Sequence, residues 1–141
     1  MKKLKFLLID DSPSTNFFNK VMIEKISVSE EIQNVENGAE ALQVLNSYVP
    51  DLILLDINMP VMDGWEFLEE FQKSDARFKD VMIILMLGAE LSENKKELIK
   101  TIPYIKGCAE KMLTQEAITD FVAKFHENIL LNKCESVLGE I

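Results

Sequence analysis

Two short apolar runs in this chain stop abruptly at acidic residues, and that pattern restricts the fold more than any other feature. Leu4-Lys5-Phe6-Leu7-Leu8-Ile9 runs straight into Asp10-Asp11, and Leu52-Ile53-Leu54-Leu55 runs into Asp56. Runs this short and this apolar read as strands covered on both faces, as in parallel sheets. A carboxylate closing such a strand is costly to bury unless it emerges at the strand's mouth, where water or a metal reaches it. If the two strands are parallel neighbours, three carboxylates gather at one sheet edge. Clustered like charges are unstable without a cation. The economical reading is a divalent-metal site with one carboxylate left as a nucleophile.

The rest of the chain alternates in the same way. Ser12-Pro13-Ser14 supplies a helix start, with proline tolerated in the first turn. Phe17, Phe18, Val21, Met22 and Ile26 follow at helical spacing and form its expected inward face. Residues 32–35 read as a weak strand, and Asn37-Gly38 opens a second helix carrying Ala39, Ala41, Leu42 and Leu45. Asp63 is an N-cap with Glu66 placed for a capping box, ahead of Trp65, Phe67, Leu68 and Phe71. Residues 81–86 are a fourth strand, and Ser92 caps a helix to about residue 100. Residues 106–110 read as an edge strand because Gly107 and Glu110 fall inside it. Thr114 opens a last helix with Ile118, Phe121, Val122, Phe125 and Ile129 on one face. Residues 1–132 are expected to form one domain, and 133–141 a frayed C-terminal tail. Strands alternating with helices predict an α/β fold, a doubly wound parallel sheet. Ligands bind such sheets beyond the carboxyl ends of the strands, where Asp10, Asp11 and Asp56 all fall.

Charge and composition exclude other classes. With 141 residues and 48% hydrophobic content the chain fits one globular domain. A net charge of −9 disfavours nucleic acid and anionic membranes as partners. No apolar run approaches the roughly 20 residues of a membrane span, and Asp10-Asp11 ends the first run too early for a signal peptide. Cys108 and Cys134 fit no metal or redox spacing and suit a reducing cytoplasm.

With these residues placed, the chain resembles a response-regulator receiver domain of two-component signalling, of the chemotaxis-regulator kind. The matching pieces are Leu8-Ile9-Asp10-Asp11-Ser12, Asn37-Gly38-Ala39-Glu40-Ala41-Leu42, Pro50 through Gly64, and Lys111 before Leu113-Thr114. Together, in this order and spacing, they cover about residues 4–130. The resemblance implies a flavodoxin-like, five-stranded sheet of order 2-1-3-4-5. It also implies that Asp56 accepts a phosphoryl group from a sensor histidine kinase, a phosphotransfer protein or a small phosphodonor. Asp10, Asp11, Asp56 and the backbone carbonyl of Asn58 would hold Mg²⁺, with Mn²⁺ as a substitute. Lys111 would neutralise the phosphoryl charge. On this reading the chain is a stand-alone cytoplasmic phosphoprotein that signals through an unknown downstream protein. It catalyses only its own aspartyl phosphorylation and dephosphorylation.

Three positions depart from the family's pattern. The hydroxyl residue that usually ends the fourth strand is Gly88, followed by Ala89 and Glu90 beside the expected phosphoryl position. The usual aromatic of the fifth strand aligns with Cys108, and the proline after the lysine aligns with Met112. The acceptor half is intact while the relay half is eroded. The competing reading is therefore a pseudo-receiver, a protein-interaction module with weakened phosphorylation-dependent switching. An aspartyl-nucleophile phosphatase needs two aspartates one residue apart, which Asp10-Asp11-Ser12 lacks. A nucleotide switch needs a Gly-rich phosphate loop, which is absent. Asp63 reads as a cap and Trp65 as core. His126 reads as an ordinary surface or half-buried histidine, because no phosphotransfer motif surrounds it.

Overall fold

A computed structural model of the chain describes residues 2–74 and 76–138, with side chains described up to residue 128. Among the described residues five strands alternate with five α-helices, and a 3₁₀ turn (Ala76–Phe78) leads into the fourth strand. The strands are β1 (Leu4–Ile9), β2 (Ser29–Val35), β3 (Leu52–Asp56), β4 (Met82–Leu87) and β5 (Ile105–Glu110). The helices are α1 (Pro13–Lys25), α2 (Gly38–Val44), α3 (Gly64–Phe71), α4 (Glu93–Lys100) and α5 (Gln115–Leu138). The strands pair in parallel in the order β2-β1-β3-β4-β5. This is the doubly wound, flavodoxin-like α/β sheet that the sequence implied.

The period-2 geometry of the strands divides their apolar residues between two cores. Leu7, Ile9, Ile53, Leu55, Ile83 and Leu85 face α2 and α3, where Ala41, Leu45, Phe67, Leu68 and Phe71 meet them. Leu4, Phe6, Leu8, Leu52, Leu54 and Ile84 face α1 and α5, where Ile23, Ile118, Val122 and Phe125 pack. Each such aliphatic side chain contributes roughly 1.5–3 kcal/mol on full burial. The central strands β1 and β3 are therefore anchored from both sides, which holds the carboxylates at their ends in place.

Helix starts follow the sequence closely. Ser12, Asn37, Asp63 and Ser92 each cap a helix by accepting a backbone N–H three residues on. Asp63 and Glu66 complete the capping box. Gly64 is there for close packing: a Cβ at this position would lie 2.7 Å from Ile57 Cα and 2.9 Å from the Asp56 carbonyl. The loop leaving Asp56 is thus clamped directly onto the start of α3.

The inward face of α1 differs from expectation. Phe17 is 68% exposed and Asn16, Asn19 and Ile23 are buried, while Met22 and Ile26 pack half-buried against the core as expected. The helix is rotated by what its asparagines bond. Asn16 Nδ2 donates to the carbonyls of Asp10 and Val35, and Asn19 Oδ1 accepts from the Leu113 N–H. With the asparagines turned inward these bonds form, and turned outward they would be lost, at the cost of exposing Phe17. Two limits also shift. Strand β2 begins at Ser29 rather than at residue 32, because it zips along β1 from Leu4 onward. Helix α5 runs on through Leu138, into the segment expected as a frayed tail, and residues 139–141 lie outside the described residues. Among the described residues, no helix is long and apolar enough to cross a membrane.

Candidate functional site

The strand ends bring Asp10, Asp11 and Asp56 together, with one carboxylate oxygen of each within 4.8 Å of the others. Each is placed by a different local device. Asp10 continues β1: its N–H donates to the Val35 carbonyl, and its Oδ1 accepts from the Ser12 N–H at 2.9 Å. That turn leaves Asp10 buried and Asp11 exposed on the rim. Asp56 is the last residue of β3 and only 1% exposed. Its Oδ1 accepts from the Asn58 N–H at 3.2 Å.

Lys111 reaches the cluster from just past β5, with its backbone N–H donating to the Leu87 carbonyl. Its Nζ is 3.1 Å from Asp56 Oδ2. The contact is an ion pair, and apart from it Oδ2 is buried without a hydrogen-bond donor. A buried, charged oxygen in that state is costly unless a ligand completes it. Burial pushes the Asp56 carboxyl above its ordinary pKa. Lys111 and the Asn58 N–H pull it back, and Asp11 pushes it further up. Asp10 is also raised, by burial first and by the Asp56 charge as well, against the Ser12 N–H. Lys111 is raised although burial opposes it, because Asp56, Asp10 and Asp11 all favour its ammonium form. Two carboxyls held above their ordinary range and one orphaned oxygen describe a site short of positive charge. The donor set is all hard oxygen, which suits a small divalent cation that keeps several waters.

The remaining sequence candidates line the other half of the rim. Gly88, Ala89 and Glu90 are exposed after β4, and Gly88 stands beside the Lys111 side chain. Cys108 is exposed on β5. Met112 takes a left-handed φ of 66° with no cis peptide bond among the described residues. His126 is half-buried, well removed in sequence from these loops. Asn16 and Asn19 escaped the sequence reading. They fix the Asp10 loop and the loop after Lys111, and a signal existed. Residues 16, 19 and 23 recur at helical spacing, so polar residues occupy an inward phase.

Comparison with known proteins agrees with this geometry. Residues 6–123 match the response regulator receiver domain family. The chain is 32% identical over 117 residues to the chemotaxis protein CheY of Halobacterium salinarum, covering 81% of this chain and 92% of that one. A two-component response regulator from Cytophaga hutchinsonii superposes with a TM-score of 0.80 at 28% identity, over 89% of this chain and 99% of that one. The chemotaxis response regulator CheY4 of Vibrio cholerae gives a TM-score of 0.73 at 26% identity, over 88% and 99%. With its strand order, its acidic strand ends and these relatives in agreement, the chain belongs to the response regulator receiver domain family of two-component signalling.

Proposed function

We propose that this chain is a phosphorylatable receiver whose phospho-acceptor is Asp56. The observation that carries the reading is Asp56 Oδ2: buried, without a hydrogen-bond donor, 3.1 Å from the Lys111 ammonium and clustered with Asp10 and Asp11. A nucleophile must be fixed with a lone pair open to attack; this oxygen ends a fully buried strand, and its close partner is the Lys111 ammonium.

An Asp56 carboxylate oxygen attacks phosphorus and forms a P–O bond. The bond from phosphorus to the donor breaks in line, and its electron pair leaves with the donor, an imidazole of a partner kinase or phosphotransfer protein or the carboxylate of an acyl phosphate. Lys111 neutralises the approaching anion and holds it against Asp56. Asp10, Asp11, Asp56 and the Asn58 carbonyl are the residues that would hold Mg²⁺ or Mn²⁺. The ion, when bound, supplies the further positive charge that lets two anions meet. The product passes a signal by protein contact, in a cytoplasmic setting. A fixed binding module would have no use for three carboxylates clustered around a buried one, which is why that alternative is disfavoured.

The test is intact mass after incubation with acetyl phosphate, with and without Mg²⁺. One phosphoryl group is expected on the wild type in Mg²⁺, mapping to Asp56, and none at that position on Asp56→Asn. A phosphoryl group mapping to His126 or to a serine would overturn the assignment.

A further inference from the structure

Beside the acceptor loop lies a small crevice of about 200 Å³, lined by Asn58, Trp65, Gly88, Glu90, Ser92 and Lys95 among others. Its walls come from both halves of the rim. Asn58 belongs to the loop after Asp56, and Gly88 stands where the family usually carries a hydroxyl. Lys95 enters from the first turn of α4, with its Nζ 4.5 Å from the centroid of the Trp65 ring.

The lysines of α4 are not equivalent. Lys96 pairs with Glu93 at 3.4 Å and Glu90 at 4.0 Å, and Lys100 pairs with Glu97 at 3.1 Å. Among the described residues, Lys95 has no carboxylate within ion-pair distance; its ammonium rests on the indole face. Lys95 and Trp65 are both half-buried, unlike the exposed Lys96 and Lys100. In a chain of net charge −9, an ammonium parked on an aromatic ring beside an anion-accepting site is held in reserve. A cation–π contact at the surface is a weak hold. A phosphoryl group brings roughly −1.5 to −2 charges and three strong acceptor oxygens, and charge-assisted hydrogen bonds to it are stronger.

We propose that Lys95 is a second cation for the phosphoryl group, parked on Trp65 in the free protein and drawn off it when Asp56 is phosphorylated. It would take up part of the role that the missing hydroxyl at Gly88 leaves open, and would carry the signal directly to α4. This inference rests on Asp56 being the acceptor.

Trp65 is the only tryptophan, so its emission reports the contact directly. Adding beryllofluoride with Mg²⁺, a mimic of the phosphoryl group, is expected to change Trp65 emission in the wild type. Lys95→Met should start near the mimic-bound emission and respond no further. Lys95→Arg, which keeps the cation, should respond as the wild type does. The affinity for beryllofluoride should fall about two- to fivefold in Lys95→Met, the factor equivalent to one exposed charge contact, and recover in Lys95→Arg. If acetyl phosphate labels Asp56 but Lys95→Met keeps the wild-type affinity and emission change, the Lys95 role is wrong and the acceptor assignment stands. If the wild type takes no phosphoryl group at all, both fall together.

Discussion

The two halves of the sheet's carboxyl edge are built differently. Around Asp56, β3 is buried at every position, and α3 buries Gly64, Phe67, Leu68 and Phe71. Across the rim, β5 alternates between half-buried and exposed positions, and α4 buries none of its residues. The phosphoryl transfer proposed for Asp56 would require atoms held to fractions of an ångström, and the first half is packed tightly enough for that. A surface that changes shape must come from elements with few buried contacts, which the second half supplies. This chain sharpens the contrast, because its loosely packed half also lacks the side-chain hydroxyl and the aromatic ring usual at Gly88 and Cys108.

The comparison breaks first on stability, where the largest difference is expected. Leu54→Ala empties a site only 3% exposed at the centre of the sheet and should cost about 2–5 kcal/mol of unfolding free energy. Cys108→Ala, on the exposed side of β5, should stay within about 0.5 kcal/mol. Urea denaturation of both variants measures the gap. Equal losses would mean that β5 is as firmly anchored as β3.

Chemistry should divide within the β5 side, between the residue that reaches Asp56 and one that does not. Lys111→Ala removes the one ammonium within ion-pair distance of Asp56 among the described residues and should slow phosphorylation by acetyl phosphate by about 10²–10³-fold, the usual effect of losing one transition-state charge partner. Cys108→Ala should leave that rate unchanged. Intact mass against time reads both.

The charge arrangement predicts a stability that depends on pH and metal. Asp10 and Asp56 have raised folded-state pKa values, so between the ordinary carboxylate range near 3.8 and those raised values the folded protein holds protons the unfolded chain has released. Raising pH through that window therefore weakens folding of the metal-free protein. Asp56→Asn removes one contributor, so its stability relative to the wild type should grow as pH rises from acid to neutral. Mg²⁺ supplies the missing charge and should raise wild-type unfolding free energy by about 2.7 kcal/mol at a hundredfold excess over its Kd, and by less in Asp11→Ala. Thermal melts across pH, with and without Mg²⁺, decide it. A wild type that gains stability over Asp56→Asn as pH rises would reverse the sign of the electrostatics described here.

The half of the rim around Asp56 was legible in the sequence and the other half less so, for physical reasons. Asp10, Asp11 and Asp56 announced themselves because a carboxylate ending a buried strand has few other uses. The capping box at Asp63 and Glu66 is a local pattern, and so it was readable. Phe17 misled because hydrophobic periodicity assumes the inward face is apolar. Here Asn16 and Asn19 win that face by satisfying backbone groups of Asp10, Val35 and Leu113, up to 94 residues away. Such long-range needs leave no mark in a local window. The Lys95–Trp65 contact was illegible for the same reason, since it joins two helices across the rim.

The smallest expected effect lies at Gly88. A Cβ there would meet only the Lys111 side chain, at 3.8 Å, so Gly88→Thr fits without displacing backbone. Its direct effect on stability should be within about 0.5 kcal/mol. Its effect on coupling should be larger, because a new hydroxyl can bond the phosphoryl group. That bond is worth roughly 1.5–3 kcal/mol, less any compensation from the Gly88 N–H or water, and it biases the loop toward one conformer. In the wild type, beryllofluoride is expected to shift backbone amides near Gly88, Glu90 and Lys95 and to leave β5 nearly unmoved, because Cys108 has no large ring to swing inward. In Gly88→Thr the response should extend further along α4 and still stop short of β5. Amide shifts measured by NMR before and after the mimic test both statements. A large, continuous response through residues 92–125 in the wild type would show that the two halves are coupled by packing alone, without the hydroxyl or the ring.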